Sequence, residues 1–546
     1  MGWSSDAERV EPKTSGERGS QPPSSQLEPT GNGPTSSTIA HRVPLSRPPG
    51  DATPRRSLVL TGGGRRVAYQ AGALRALEEA GLAFDHADAT SAGTVNLAML
   101  FSGLAPGEMC SRWRTLGERS SSSLLPPVEA LGSRRPTTPV EPHTRRRHAL
   151  AELGVDITRI NAATGMDGTF NIGNFSSRTN RAVSHRDLGD DQLLAAISLP
   201  GLTPPVRIDG DEYVDSVCIQ NANLLEAVRR GAEEIWLLWC SGGTPRYRIE
   251  LPSPYEQMIE MSGTGSLEHA LRYIAELNER IRRGDSPWGQ RAPIRLKVIK
   301  PDCPLPLDSG LPGAIDGALL DLGYADAWRR LRERDSDDAL EAAATSTRRA
   351  PAGVAFNERF TGSLRSLAPN TPGFESGAAV SVELSSTVLI GDLPAFLSDP
   401  SRVVELAGSV LWDGVSLGLR DGGFRAETRP EAGERRLIYT ASFEPIPGLT
   451  CHLRLERSLI AGSATLMRGL LPTRVSVHRG PDASAPILAS GVLDMRADDV
   501  TTCCRTLQAL EPESPREGAR AIVQLGRFLF GELYDSSTGR PWWKVW

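Results

Sequence analysis

The residues with chemistry to offer gather in one stretch, residues 57–100, which reads SLVLTGGGRRVAYQAGALRALEEAGLAFDHADATSAGTVNLAML. Three consecutive glycines, Gly62, Gly63 and Gly64, follow a short apolar run at 57–60. Further on, Ser91 stands between Thr90 and Ala92, with Gly93 next. A serine on a sharp strand-to-helix turn projects its hydroxyl outward, and the helix that follows starts with backbone N–H groups that have no partner inside it. A glycine loop lets backbone N–H groups approach a developing oxyanion with no side chain in the way. Both turns also suit ordinary tight βα connections, and the G-x-S-x-G pattern is incomplete, because Ala89 stands at its first glycine. Nucleotide chemistry fits less well. The third glycine of a dinucleotide fingerprint is Val67 here, and no Lys-Ser or Lys-Thr pair follows the triplet as a P-loop requires.

The surrounding pattern supplies elements to hold these turns. Val67, Ala71, Leu74 and Leu77 fall at helical spacing, a short strand is expected at 87–90, and a helix-like run at 95–100. The order β–loop–α–β–turn–α opens a parallel sheet covered by helices. Downstream, a helix at 191–198 ends before Pro200. Arms at 206–208 and 212–214 then flank Asp209-Gly210, a hairpin signal, and Asp215 sits just past the second arm. The segment INAATGMDGTFNIGNF reads as a strand pair with a turn at Asp167-Gly168. Strands at 235–239 and 294–299 alternate with helices at 256–283 and in LLDLGYADAWRRLRER. The expected fold is α/β, a doubly wound, mostly parallel sheet with helices on both faces. Between the turns and the hairpin lies a Pro/Ser/Arg-rich insertion at 118–150, a lid or a variable loop. Its basic run, Arg145, Arg146 and Arg147, reads as a solvated loop or, less simply, as a membrane-surface patch, since basic runs attract anionic lipid.

The chain of 546 residues is too long for one ordinary core. Its 39% hydrophobic and 23% charged content describe a soluble globular protein, and a net charge of −5 gives no reason to expect nucleic acid as a partner. The seven cysteines (Cys110, Cys218, Cys240, Cys303, Cys451, Cys503 and Cys504) form no C-x-x-C pair, which suits reduced thiols in a cytoplasmic setting. The eight histidines are dispersed and no metal site is expected. The N-terminus has no apolar signal region, Asp6 breaks a myristoylation pattern at Gly2, and no run of apolar residues is long enough to span a membrane. Residues 1–56, rich in Ser, Pro, Gly and charge, read as a disordered tail. Residues 57–332 read as the α/β domain and 333–352 as a polar linker. Residues 353–546 form a β-rich (α+β) domain, a barrel or sandwich with closing helices at 497–510 and 518–534. The Trp-dense end PWWKVW reads as packing onto this domain or as an interfacial membrane anchor.

Several motifs in one order carry a family resemblance. TGGGRRVAYQAGALRALEEAG is similar to a glycine triplet with arginine, ATSAGTVN to G-T-S-A-G-A, and TPPVRIDGDEYVDSVCIQNANLLEAVRRGAEEIWLL to a P-P-V stretch leading to Asp-Gly; LLDLGYADAW adds a Gly-Tyr. Over residues 57–332 the chain resembles the patatin-like phospholipases. The resemblance implies a serine lipid acyl hydrolase that uses a Ser–Asp dyad and no cofactor. Ser91 is then the nucleophile and Asp215 the general base. Gly62, Gly63, Gly64 and Arg65 form the oxyanion loop, with the N–H groups of Gly63 and Gly64 as donors, and Thr90, Ala92 and Gly93 shape the nucleophile turn. It also implies a lipid or acyl-ester substrate and peripheral contact with membranes; it names no protein partner. Partial burial would raise the Asp215 pKa and make it a workable base. The chain departs from the family pattern at Ala89, Val67 and Ser216, so a catalytically impaired lipid-binding relative stays open, as does an acyltransferase. The C-terminal segments FNERFTGSL, GGFRAET and GRFLFGELYD resemble the β-rich module that accompanies cholesterol-oxidase-like flavoenzymes.

Overall fold

The computed structural model describes residues 40–51, 53–119, 140–240, 253–302, 305, 314–333, 352–367, 374, 377–429, 434–460, 472–510, 512 and 514–530. In the first half the strands are β1 (His41–Arg42), β2 (Arg56–Leu60), β3 (His86–Thr90), β4 (Ala163–Thr164), β5 (Asp167–Asn174), β6 (Thr179–Ser184), β7 (Val206–Ile208), β8 (Asp211–Asp215), β9 (Glu234–Leu238) and β10 (Arg295–Ile299). The helices are α1 (Ala68–Glu79), α2 (Gly93–Phe101), α3 (Pro106–Arg119), α4 (Val140–Glu152), α5 (Ile157–Asn161), α6 (Asp190–Ala196), α7 (Leu224–Arg229), α8 (Ser253–Arg282) and α9 (Ala314–Arg332). Strands β10, β9, β2, β3 and β5 lie side by side in parallel; β6, β8 and β7 complete the sheet in antiparallel pairings.

The sheet is buried on both faces, and its central strands β2 and β9 are apolar over most of their length. Leu58, Leu60, Trp236 and Leu238 pack with α1, α2, α3 and α9, while Val59, Ile235, Leu237, Leu296 and Val298 pack with α7 and α8. Continuous apolar strands with helices on both sides are what a parallel sheet requires. Helices α1 and α9 cross at two facing glycines. A methyl built on Gly72 would lie 1.8 Å from the Leu320 carbonyl oxygen, and one on Gly323 1.8 Å from that of Tyr69. Backbone fills the space on both sides, so neither helix can yield by rotating a side chain. Gly72→Ala is therefore expected to lower stability by about 1–3 kcal/mol or more, read as a lower melting temperature, because overpacking must push the two helices apart.

Several expectations change here. Residues 40–55 pack on the domain: β1 pairs with β4, and Val43 and Leu45 are buried in the main core. Residues 1–39 lie outside the described residues, as does the PWWKVW end. The expected turn at Asp167-Gly168 is a straight part of β5, paired with His86 and Ala87. Gly168 is needed for space, since a methyl there would meet the Phe101 ring at 2.6 Å. The basic run is helical, on α4, and Arg146 is among the most deeply buried side chains. Residues 120–139 of the insertion lie outside the described residues, as do 334–351 of the expected linker.

The second half holds β11 (Gly353–Ser366), β12 (Ala379–Ile390), α10 (Leu393–Ser398), β13 (Val404–Trp412), β14 (Val415–Gly418), β15 (Arg420–Arg429), β16 (Glu434–Ile446), β17 (Leu449–Ile460), β18 (Thr473–Arg479), β19 (Ile487–Asp494), α11 (Ala497–Thr506), β20 (Gln508–Leu510) and α12 (Pro515–Phe530). Eight of these strands close into an antiparallel barrel in the order β11, β12, β13, β15, β16, β17, β18, β19 and back to β11. Closure removes the exposed strand edges that an open sheet would leave. Phe360, Phe424, Tyr439 and Phe443 fill the barrel, and Leu525 of α12 joins the same core. The closing helix expected at 497–510 stops at Thr506, because Gln508–Leu510 pairs with Gly353, Val354 and Ala355. The barrel docks on α9 and α1. The Arg420 guanidinium lies 3.8 Å over the Trp328 ring and donates to Glu79 at 3.2 Å, while Tyr324 donates to Glu79 at 2.5 Å.

Candidate active site

One edge of β5 brings the distant chemistry together. Strand β6 occupies the other edge, so β3 and β8 share this one in succession: Thr90 lies opposite Asn171, and Asp215 opposite Ile172. The residue after Thr90 must therefore emerge beside Asp215. The Ser91 hydroxyl donates to Asp215 Oδ2 at 2.6 Å. Asp215 is the last residue of β8, which runs one residue beyond the arm expected at 212–214. Asp209 and Gly210, both at positive φ, make the tight turn that returns it.

Ser91 itself has φ of 55°, a left-handed conformation that costs a non-glycine residue of order 1–3 kcal/mol and aims its side chain off the strand end. The turn is held by Thr94, whose N–H and hydroxyl both donate to the Ser91 carbonyl at 2.9 and 2.5 Å. Gly93 has no room for a side chain: a methyl would lie 2.6 Å from the Thr61 carbonyl oxygen. Thr90 and Ala92 are buried beside it.

The glycine loop lies directly over the serine. A methyl on Gly62 would sit 2.6 Å from Ser91 Cβ and 3.1 Å from its Oγ, and one on Gly63 2.6 Å from Cys240 Sγ. The Gly62 N–H is taken by Asn221 Oδ1 at 2.8 Å. A 3₁₀ turn then begins at Gly64, which has positive φ, and runs through Arg65 to Val67. The first N–H groups of such a turn have no partner inside it. Gly62→Ala is expected to cut the reactivity of the Ser91 hydroxyl at least ~100-fold with the fold retained, because the added methyl invades the space of Ser91 Oγ and displaces the loop above it. The measurements are the rate of ester hydrolysis and the melting temperature.

Electrostatics set the state of the pair. Ser91 is 7% exposed and Asp215 2%. Burial pushes the Asp215 carboxyl up to about 7, against the opposing pull of the Ser91 hydroxyl, the Val217 N–H at 2.9 Å and the positive charge of Arg146. The three departures from the family pattern fit without disturbance. Ala89 continues β3 and accepts from the Asn171 amide at 2.9 Å. The Val67 carbonyl accepts from Asn96 at 2.8 Å, and the Ser216 hydroxyl donates to Asn180 at 2.6 Å.

Sequence reading missed the polar residues that hold these parts. Gln70 donates to the Thr61 carbonyl at 2.7 Å, Asn96 joins Gln70 to the Trp113 indole, and Asn171 accepts from both Asn180 and Asn223. Each is a single buried amide in an apolar context. That oddity is a readable signal, but it names no partner.

A mostly parallel sheet with helices on both faces, carrying the glycine loop and the serine turn on adjacent strands, is the patatin fold. Residues 58–228 match the family model described as Patatin-like phospholipase, and this stretch of the chain is a patatin-like phospholipase domain. Among solved structures, VipD from Legionella pneumophila is similar at 14% identity and a TM-score of 0.30, covering 54% of this chain and 71% of that one. The type III effector protein ExoU is similar at 14% identity and a TM-score of 0.23, covering 53% of this chain and 55% of that one. No curated protein matches. The resemblance of the C-terminal segments to a flavoenzyme-associated module is not confirmed by these comparisons. Among the described residues no helix is long and apolar enough to cross a membrane.

Proposed function

We propose that the chain is a lipid acyl hydrolase that cleaves carboxylic esters through a Ser91–Asp215 dyad. The observation that carries this reading is the 2.6 Å bond from a strained serine to a buried carboxylate. Ser91 Oγ attacks the ester carbonyl carbon as its proton passes to Asp215 Oδ2. The carbonyl oxygen, now anionic, takes hydrogen bonds from the N–H groups of Gly63 and Gly64, with Gly62 and Arg65 shaping the loop. The carbon–oxygen bond to the leaving alcohol breaks, and the alcohol takes the proton from Asp215. Water, losing its proton to the same carboxylate, then attacks the acyl-enzyme and frees the fatty acid, and the proton returns to Ser91.

No histidine is needed, because burial has already moved Asp215 into the range of a useful base. Preorganised donors of this kind supply about 10²–10³ in rate each. The lipid substrate class follows from the patatin-like phospholipase domain. The test is release of free fatty acid from phospholipid and from neutral glyceride vesicles. Free acid in the product supports a hydrolase, an acylated alcohol acceptor indicates an acyltransferase, and no acyl release from any ester contradicts the proposal.

A further inference from the structure

Arg146 belongs to the basic run that reads as solvated, yet its side chain is 1% exposed. It reaches from α4 toward the loop after α6. One guanidinium nitrogen donates to the Ile197 carbonyl at 3.1 Å and to the Ser198 hydroxyl at 3.2 Å; the other lies 3.2 Å from His143 Nδ1. The Ser198 carbonyl in turn accepts the Asp215 N–H at 2.9 Å. Arg146 thus grips the segment that carries the backbone of Asp215. Two residues on, the Pro200 carbonyl accepts from the Tyr255 hydroxyl of α8, so this loop is held from two sides.

Gripping the loop does not require a charge. A carbonyl and a hydroxyl are neutral acceptors that an amide would serve, and burying a guanidinium costs several kcal/mol unless an anion compensates it. The Asp215 carboxylate is a negative charge that acts on it. We propose that Arg146 is a positioning residue of the dyad: it fixes the loop behind Asp215 and directs a positive charge at the carboxylate, favouring the ionised form that a general base needs. This inference rests on the dyad proposed above and adds to it a member supplied by the insertion.

The charge is permanent over the relevant range. Burial lowers the Arg146 guanidinium to about 10, and the pull of Asp215 works against that, so Arg146 stays cationic at neutral pH. Among the described residues, the other titratable groups on which the Asp215 charge acts are Cys218, in the turn after β8, and Tyr255 on α8. Burial pushes the Cys218 thiol up to about 11 and the Tyr255 phenol well above its ordinary value, so both remain neutral. On its own helix Arg146 faces His143, whose pKa burial and the neighbouring arginines hold below its ordinary value. Asp191, from α6, is bonded to Arg147 at 2.6 Å.

The experiment follows the rate of inactivation by a fluorophosphonate across pH 5–9.5 in the full chain. The variants are Arg146→Gln, which keeps amide donors without charge, Arg146→Met as a second neutral variant with more apolar packing, and Arg146→Lys. Wild type should lose reactivity on acidification with a midpoint near 7. The neutral variants should move this midpoint up by about one unit, a loss of about tenfold at pH 6 that disappears toward pH 9.5. Arg146→Lys should keep the wild-type midpoint even where its rate is lower throughout. An unmoved midpoint in a folded neutral variant, with the rate lowered equally at every pH, overturns the inference and leaves the dyad standing. Absence of Ser91 labelling in wild type at every pH overturns both.

Discussion

Ser91→Ala is expected to abolish ester hydrolysis, with a fall in kcat of at least ~10⁴-fold and no loss of fold. The size of the effect follows from the chemistry. No other hydroxyl is bonded to Asp215 among the described contacts, and water attacking directly would lack the covalent intermediate that divides the reaction into two easier steps. Alanine also suits the site sterically, since it removes one oxygen from a turn whose backbone is held by Thr94 and Gly93. The left-handed backbone at position 91 remains, so stability should change little. The measurements are steady-state hydrolysis of a lipid ester and the melting temperature of the same sample. Turnover within tenfold of wild type would remove Ser91 from the mechanism.

Asp215→Asn should reduce turnover by about 10²–10⁴-fold, the usual worth of a positioned general base. It carries a second, less obvious expectation, that the inactive variant is the more stable protein at alkaline pH. The Asp215 carboxyl rises from an ordinary 3.8 to about 7 on folding. Below about pH 4 it is protonated in both folded and unfolded chains, and it costs nothing. As pH climbs to 7 the unfolded chain has released this proton while the folded chain retains it, so stability falls. Above 7 the full cost of a buried anion is present, roughly 4 kcal/mol at most. Asparagine keeps the shape and has no charge to bury. Thermal melts at pH 5 and pH 9 check this: the gain in melting temperature of Asp215→Asn over wild type should be larger at pH 9. A gain that is equal at both values, or a loss confined to pH 9, would contradict the burial-driven shift.

The halves of the site differed in how plainly they could be read. Glycine triplets and a serine flanked by small residues leave a local trace, because backbone geometry at Gly62–Gly64 and Gly93 excludes side chains; those positions were legible. Asp215 was legible only through motif order. Its meeting with Ser91 is set by the shared edge of β5, and pairing register across 124 residues leaves no local pattern. Arg146 was misread for a related reason. Three consecutive arginines look solvated, but on α4 they point in different directions, and burial of the middle one is decided by α6 and the loop after it. Asp167-Gly168 was misread because glycine is ambiguous: it marks turns, yet here it makes way for the Phe101 ring. In the second half, alternation predicted strands well, as expected for a surface with one face inward. Barrel closure depends on β12–β13 and β13–β15 pairing, which alternation does not encode.

Whether Ser91 forms a covalent adduct under the action of Asp215 is decided by peptide mass spectrometry after fluorophosphonate treatment at pH 8. A single phosphonyl adduct on Ser91 is expected, slowed by orders of magnitude in Asp215→Asn. An adduct on a different residue, or a Ser91 adduct formed equally fast without the Asp215 carboxylate, would contradict it.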